Sequence, residues 1–259
     1  MENKIWGVIE LGDGKVQFRQ LGDLNLWFKY HNEEIWIAHC YTGDSRGERS
    51  AGELPEDVRW SRWAHKNAYK SIRIEPAHSY LPLIVHSEYS LKVSPRTDIQ
   101  VFCRVPLWIS IMIADDNYKL AEFPVHQLPK TWFGTRLEGE LCYHTTTKAR
   151  RNLSEVHPAP HLITCPVTIA NRSNVTLNFE HFCFRVERLG IFLHENTLWA
   201  DETQITYRGE GQNSDVVMTG KLPKGITQQM QLSKPRRKIQ SSLATRTFKH
   251  FIEDTLTLG

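Results

Sequence analysis

Apolar and polar side chains alternate with a period of two along most of the chain. Leu24, Leu26, Phe28 and Tyr30 alternate with Asn25, Trp27 and Lys29. After the polar turn His31-Asn32-Glu33-Glu34, the residues Ile35, Ile37, His39 and Tyr41 alternate with Trp36, Ala38 and Cys40. A strand sends successive side chains to opposite faces, so this pair predicts a β-hairpin with one strongly apolar face. Further strand-like stretches follow at 71–75, 83–86, 89–93, 99–113, 118–123 and 138–145, then at 162–170, 175–187, 189–193, 197–207 and 215–219. Proline cannot donate to a ladder, so Pro76 is expected to end one strand and Pro106 to mark a bulge or an edge in another. The polar stretch 42–57 reads as a long loop and 146–160 as a linker. No helical pattern of ten or more residues separates any two of these strands before the C-terminus, which favours stacked antiparallel sheets over βαβ units.

The C-terminus is different. Ile239, Leu243, Phe248, Phe251, Ile252 and Thr255 recur at three to five residues, with Arg236, Arg237, Lys238, Arg246 and Lys249 in other directions and Pro235 in the first turn. The predicted architecture is all-β: two antiparallel β-sandwich domains, 1–152 and an immunoglobulin-like 153–235, closed by a basic amphipathic helix over 236–259. The Cys…Trp…Cys spacing of antibody domains is missing, so the likeness is one of architecture only.

With 40% apolar and 24% charged residues in 259, wholesale disorder is excluded. The longest apolar run, 101–114, is interrupted by Arg104, Pro106 and Ser110 and falls short of the roughly 20 residues that cross a bilayer. The opening residues do not read as a signal peptide, since Glu2, Glu10 and Asp13 break up the apolar run 5–11. Five cysteines, an odd number at wide spacing, then predict free thiols in a reducing cytoplasm, and the Asn-X-Ser/Thr triplets at Asn152, Asn171 and Asn174 read as chance matches. Net charge is only +3, yet 221–252 holds eight lysines and arginines and no Asp or Glu. Such a segment suits an anionic membrane surface or a groove on a partner protein. Nucleic acid ranks last, because the remainder of the chain is slightly acidic.

Glu138, Glu140, Cys142 and His144 sit two apart and share one strand face. They are metal-ligand and acid–base types, but four such positions span about 20 Å, so at most Cys142 and His144 reach one ion. His157 and His161 bracket Pro158-Ala159-Pro160, which forbids the helix that an HxxxH pair would use. No C2H2 or HExxH spacing, no GxSxG, no GxGxxG and no HRD occurs, and Gly12-Asp13-Gly14-Lys15 lacks P-loop spacing. The tryptophans, among them Trp27, Trp36, Trp60, Trp63 and Trp132, fit either sheet-face packing or sugar stacking. No catalytic residue, cofactor or metal is assigned on these grounds.

Several strings carry a family resemblance: Ile74-Glu75-Pro76-Ala77 and Phe102-Cys103-Arg104-Val105-Pro106-Leu107-Trp108; Trp132-Phe133-Gly134 with Gly139-Glu140-Leu141-Cys142-Tyr143; and Cys165-Pro166-Val167, Asn171-Arg172-Ser173 and Leu198-Trp199-Ala200-Asp201-Glu202-Thr203. Over most of residues 5–220 the chain resembles an uncharacterised archaeal and bacterial family known only as a domain of unknown function, with the basic tail outside the best-matching part. The resemblance implies a membrane-channel partner, a mechanosensitive channel in particular, and carries over no catalytic residue. The expected function is therefore that of a non-enzymatic cytoplasmic interaction or accessory protein, peripheral to the inner membrane, a subunit or regulator of a channel and itself a candidate homo-oligomer. Its partner surface is expected to use Trp132, Phe133, Glu138 and Glu140 on the sheet and Arg236, Arg237, Lys238, Phe248 and Phe251 on the helix. The alternatives are a small-ligand or carbohydrate-binding β-sandwich and a metal-dependent hydrolase at Cys142/His144.

Overall fold

The computed structural model describes residues 5–42, 54–137, 139–209, 212–222, 226, 230–237 and 243–245. The regular structure of these residues is almost wholly β. In chain order the strands are β1 (Gly7–Glu10), β2 (Gln17–Leu21), β3 (Leu24–His31), β4 (Glu34–Tyr41), β5 (Trp60–Ala64), β6 (Ser71–Ala77), β7 (Leu83–Val93), β8 (Asp98–Pro106), β9 (Trp108–Ile113) and β10 (Lys119–Pro124). There follow β11 (Lys130–Gly134), β12 (Gly139–Arg150), β13 (Leu162–Asn171), β14 (Leu177–Phe184), β15 (Ile191–His194), β16 (Thr197–Ala200), β17 (Thr203–Tyr207), β18 (Ser214–Met218), β19 (Met230–Ser233) and β20 (Leu243–Thr245). Single 3-10 turns occur at Leu153–Glu155 and Val186–Arg188.

The predicted hairpin forms as β3–β4, in register from Leu24↔Tyr41 to His31↔Glu34. Its two-residue turn places Asn32 and Glu33 at φ 52° and 61°, the left-handed pair that matches the twist of a tight hairpin. Its apolar face is buried: Leu24, Leu26, Phe28 and Ile37 lose essentially all contact with water. This hairpin lies in a sheet of order β2-β3-β4-β5, and a second sheet runs β1-β6-β9-β10. The third has twelve strands, following β14-β7-β12-β8-β13-β16-β15-β19, with β11 added on β12 and β17, β18 and β20 added beside β13. One buried cluster joins all three, from Leu24 and Phe28 through Ile72 and Ile111 to Val101, Cys103, Val105, Ile163, Cys165, Val167, Phe182 and Phe184.

The large sheet departs from the purely antiparallel expectation. β12 pairs in parallel with β7, and β13 pairs in parallel with both β16 and β17. The run 99–113 divides at Leu107: β8 belongs to the large sheet and β9 to the second, so Pro106 stands where the chain changes sheets. Pro76 does not end its strand, for it lies within β6 opposite Ile109, and Pro166 lies within β13 opposite Phe102. The stretch read as a linker begins as strand, because β12 continues to Arg150. The run 197–207 breaks at Asp201, whose carboxylate accepts the Gly190 backbone N–H at 2.9 Å. The β8–β13 ladder crosses the boundary expected at 152, with nine pairs in unbroken register from Asp98↔Ala170 to Pro106↔Leu162.

The C-terminal helix is corrected where it can be seen. Leu243–Thr245 form strand β20, antiparallel to β18. The remainder of that element, including Lys238, Phe248 and Phe251, lies outside the described residues. Arg236 and Arg237, its first two residues, are described and are held against the body. The Arg236 guanidinium pairs with Glu122 and donates to the His78 carbonyl, and the backbone N–H groups of Arg236 and Arg237 both donate to the Glu187 carbonyl.

His78 is fully buried beside this fastening. Burial first, and the Arg236 guanidinium second, lower its pKa from 6.5 to about 3. Between those two values the unfolded chain takes up a proton that the folded chain refuses, so acidification destabilises the fold. The slope approaches about 1.4 kcal/mol per pH unit for this one group. His78→Leu is expected to flatten the fall in urea midpoint between pH 6.5 and 4.5 relative to the wild-type protein; superimposable profiles would show that His78 does not titrate in this way.

Candidate functional site

Strands β11, β12, β7 and β14 present one continuous face outside the main core. The register pairs Phe133 with Glu140, His144 with Ile84, Ile84 with Cys183 and His86 with His181, so all of these side chains emerge on the same side. The predicted alternation of Glu140, Cys142 and His144 along β12 is therefore realised, while Glu138 lies outside the described residues. Cys142 and His144 go to different neighbours. Cys142 is buried with Ile84, Phe133 and Cys183, its sulfur 3.7 Å from Cys183 Sγ. His144 is exposed, and its ring lies against His86. Glu140 forms an ion pair with the buried Arg185. Its Oε1 also lies 3.6 Å from Cys183 Sγ, and hydrogen bonding to Cys142, followed by burial, pushes the Cys183 thiol up.

Trp132 and Phe133 are neighbours in sequence and point to opposite faces of β11. Phe133 is 4% exposed within the cysteine cluster, whereas Trp132 is 51% exposed opposite Leu141 at 42%. Leu137, at 96%, completes a small apolar tip on this hairpin. Gly139 makes the tip: a Cβ there would collide with the Trp132 indole and the Phe133 carbonyl.

A second concave region was not foreseen. A cleft of about 490 Å³ is lined by Phe102, Arg104, Pro106, His126, Leu128, Thr145, Thr146, Thr147, Lys148, Arg150, Val156, His161 and Leu162. It exists because two strands diverge. β8 and β12 pair only at Ala149↔Cys103 and Arg150↔Phe102, and the ladder between β12 and β7 shifts register between His144 and Lys148. Beyond the short ladder the gap is bridged by the Thr147 hydroxyl, which donates to the Arg104 carbonyl at 2.8 Å. Alternation along β8 does the rest: Val101, Cys103 and Val105 enter the core, and Phe102, Arg104 and Pro106 face the cleft.

The lining is cationic. Arg104, Lys148 and Arg150 contribute three positive charges, and no carboxylate is among the lining residues. Burial and the nearby Arg150 guanidinium pull the pKa of Arg104 down. Burial, with His126 second, does the same to His161. Two carboxylates stand behind the wall. Glu88 holds Arg150 at 3.0 Å, and Asp23 holds His126 Nδ1 at 2.5 Å. Asp23 reaches His126 because the β2–β3 turn is docked on the segment after β10. Gly22 there has φ 57°, and a Cβ on it would stand 3.2 Å from the His126 ring. The His126 and His161 rings meet edge to face, with centroids 5.1 Å apart. His161 carried a metal reading only as half of an HxxxH pair, and its actual neighbours are His126, Asp23 and Arg104. No local motif announces such a site; the one sequence signal is a single arginine, Arg104, inside the otherwise apolar run 101–106.

Two of the strings of the family resemblance hold the fold together. Asn171 is buried, donates to the Val93 and Val175 carbonyls and accepts from Ser173, so Asn171-Arg172-Ser173 is a packed turn. Asp201 and Glu202 hold Gly190 and Thr168.

The two aromatics of β11 should respond differently to truncation. Phe133→Ala is expected to cost about 3–5 kcal/mol, as for a filled core site. Trp132→Ala should cost less than about 1 kcal/mol, as for an exposed position. Urea unfolding of the two variants checks this, and equal losses would contradict the assigned faces.

Among the described residues no helix is long and apolar enough to cross a membrane. No curated protein matches the chain, and neither does any solved structure. A family model matches residues 5–253, a span that includes the basic segment 221–252. The chain belongs to that family, described as a protein of unknown function (DUF432).

Proposed function

We propose that this protein is a binding protein for a small anionic molecule, one carrying a phosphate or carboxylate group, held in the cleft between β8 and β12. The observation that carries the reading is the convergence of Arg104, Lys148 and Arg150, with His126 and His161, on a cleft whose lining includes no carboxylate. Its volume falls within the roughly 300–1,000 Å³ of small-molecule sites, and Phe102, Pro106, Leu128, Val156 and Leu162 supply apolar wall around the charged groups. Guanidinium groups present donors in a plane that matches the oxygens of phosphate and carboxylate. Like charges brought together at a partly buried site raise the free energy of the empty protein, and an anion relieves this.

Binding, more than bond-making, suits the available groups. The hydroxyls of Thr145 and Thr147 donate to the carbonyls of Ile84 and Arg104. The thiols of Cys103 and Cys165 are buried in the core, where desolvation raises them away from the reactive thiolate form.

Titration calorimetry at low salt with inorganic phosphate, pyrophosphate and citrate tests the reading. Saturable binding of at least one is expected, weakened roughly 10- to 150-fold by Lys148→Ala, since a hydrogen bond to a charged group contributes about 1.5–3 kcal/mol. Lys148 is exposed, so its removal leaves the fold intact. No saturable heat with any of the three anions, or equal affinity in the variant, would overturn the proposal.

A further inference from the structure

A second cavity lies between the β2-β3-β4-β5 sheet and the β1-β6-β9-β10 sheet. Its volume is about 270 Å³, and its walls come from β2, Leu26 of β3, Ile74 of β6 and Ile109 of β9. It shares no lining residue with the cleft. Leu21, Leu26, Ile74 and Ile109 are nearly fully buried and form its floor. The half-buried Ile5 and Phe18 and the exposed Gln20 bring it to the surface.

The sequence of β2 accounts for the cavity. Directly opposed residues of an antiparallel pair share a face. Gln17 stands opposite Phe28, Arg19 opposite Leu26 and Leu21 opposite Leu24. β2 therefore sends two polar side chains and one leucine to the face on which β3 buries Leu24, Leu26 and Phe28. β2 is the outer strand of its sheet, and a charge turned inward there also deters pairing with another chain. Deterrence alone leaves two observations without a cause. Protein cores carry few cavities larger than a water molecule, because the lining atoms lose contacts. In addition, the Nε atom of Arg19 is buried with no hydrogen-bond partner. Among the described residues only Nη1 of this guanidinium is engaged, donating to the Phe18 carbonyl at 2.7 Å, and no carboxylate pairs with it.

We propose that this cavity binds a medium-chain aliphatic monocarboxylate, with the chain against Leu21, Leu26, Ile74 and Ile109 and the carboxylate on Arg19. One positive charge on an otherwise mostly apolar wall selects a ligand with one anionic end and an apolar body. A guanidinium with two nitrogens unengaged matches both oxygens of a carboxylate. Pairing there gives the buried Nε a partner and removes its desolvation cost. Volume sets the chain length. At roughly 30 Å³ per small unit, the share of one water in the liquid, the cavity holds on the order of nine non-hydrogen atoms, close to the size of octanoate. The cleft differs in kind: it offers three cations, and this cavity offers one.

Titration calorimetry with butyrate, hexanoate and octanoate tests the site. Saturable octanoate binding is expected, with affinity rising about fourfold for each added methylene, as burial of a CH₂ group dictates. Octanol, of equal chain length and without charge, should bind more weakly. Arg19→Met keeps a long side chain at this outer strand and should weaken octanoate binding roughly 10- to 150-fold. Lys148→Ala should leave octanoate binding unchanged, which separates this cavity from the anion cleft. Absence of saturable octanoate binding, an affinity independent of chain length, octanol binding as tight as octanoate, equal affinity in Arg19→Met, or loss of octanoate binding in Lys148→Ala would overturn the proposal.

Discussion

The nine-pair ladder between β8 and β13 is the constraint on which the rest of the structure depends. Its two strands are separated in sequence by more than fifty residues, so closing it carries a large loop entropy that local contacts cannot offset. What offsets it is the burial of Val101, Cys103 and Val105 from one strand and Ile163, Cys165, Val167 and Ile169 from the other, all fully removed from water. On its other edge β8 follows β12 for only two register pairs, and the cleft opens between them. Pro106 ends β8, and after Leu107 the chain enters the second sheet. The same strand thus joins two sheets, closes the core and lines the cleft.

Period-two alternation made much of this legible in advance. The β3–β4 hairpin was legible to within a residue, because its polar turn and apolar face point to one answer. Pro106 was recognisable as a break, although not as the point where the chain changes sheets. Parallel pairing of β13 with β16 and β17 was not legible, since alternation records which face is buried and not which strand lies alongside. The short exposed edges β1, β5 and β19 have weak patterns because only part of one face is covered. The helical period after 236 included Leu243, which instead lies in a strand against β18. A spacing of three to five residues does not exclude a short strand.

The candidate sites show a sharper limit. Glu140, Cys142 and His144 were correctly placed on one face of a strand, because that follows from spacing alone. Their partners were hidden, because His86, His181 and Cys183 reach them only through the register of β7 with β12 and β14. The cleft is likewise assembled from five separate stretches of chain, and His126 owes its position to Asp23 on a turn more than a hundred residues away. Basic residues of the C-terminal region, legible as a charge run, proved in the case of Arg236 to fasten the chain to Glu122. A run of like charge reports composition, and only the folded neighbours decide whether a given charge meets water, a partner or its own protein.

β12 links two of these sites physically. From Gly139 to Tyr143 it pairs with β11, and at Tyr143 and His144 with β7, turning Glu140, Cys142 and His144 towards the histidine and cysteine face. The register then shifts, and from Thr145 to Lys148 the strand lines the cationic cleft, rejoining β7 at Lys148↔His86 and β8 at Ala149↔Cys103. A regular strand would have paired Thr147 with its neighbours through the backbone; here its hydroxyl bridges to Arg104 across the gap. An unpaired stretch of this kind is normally confined to an edge, where water satisfies the backbone. In β12 it lies inside a sheet, between β7 and β8. Such an interruption costs backbone hydrogen bonds in exchange for placement of side chains.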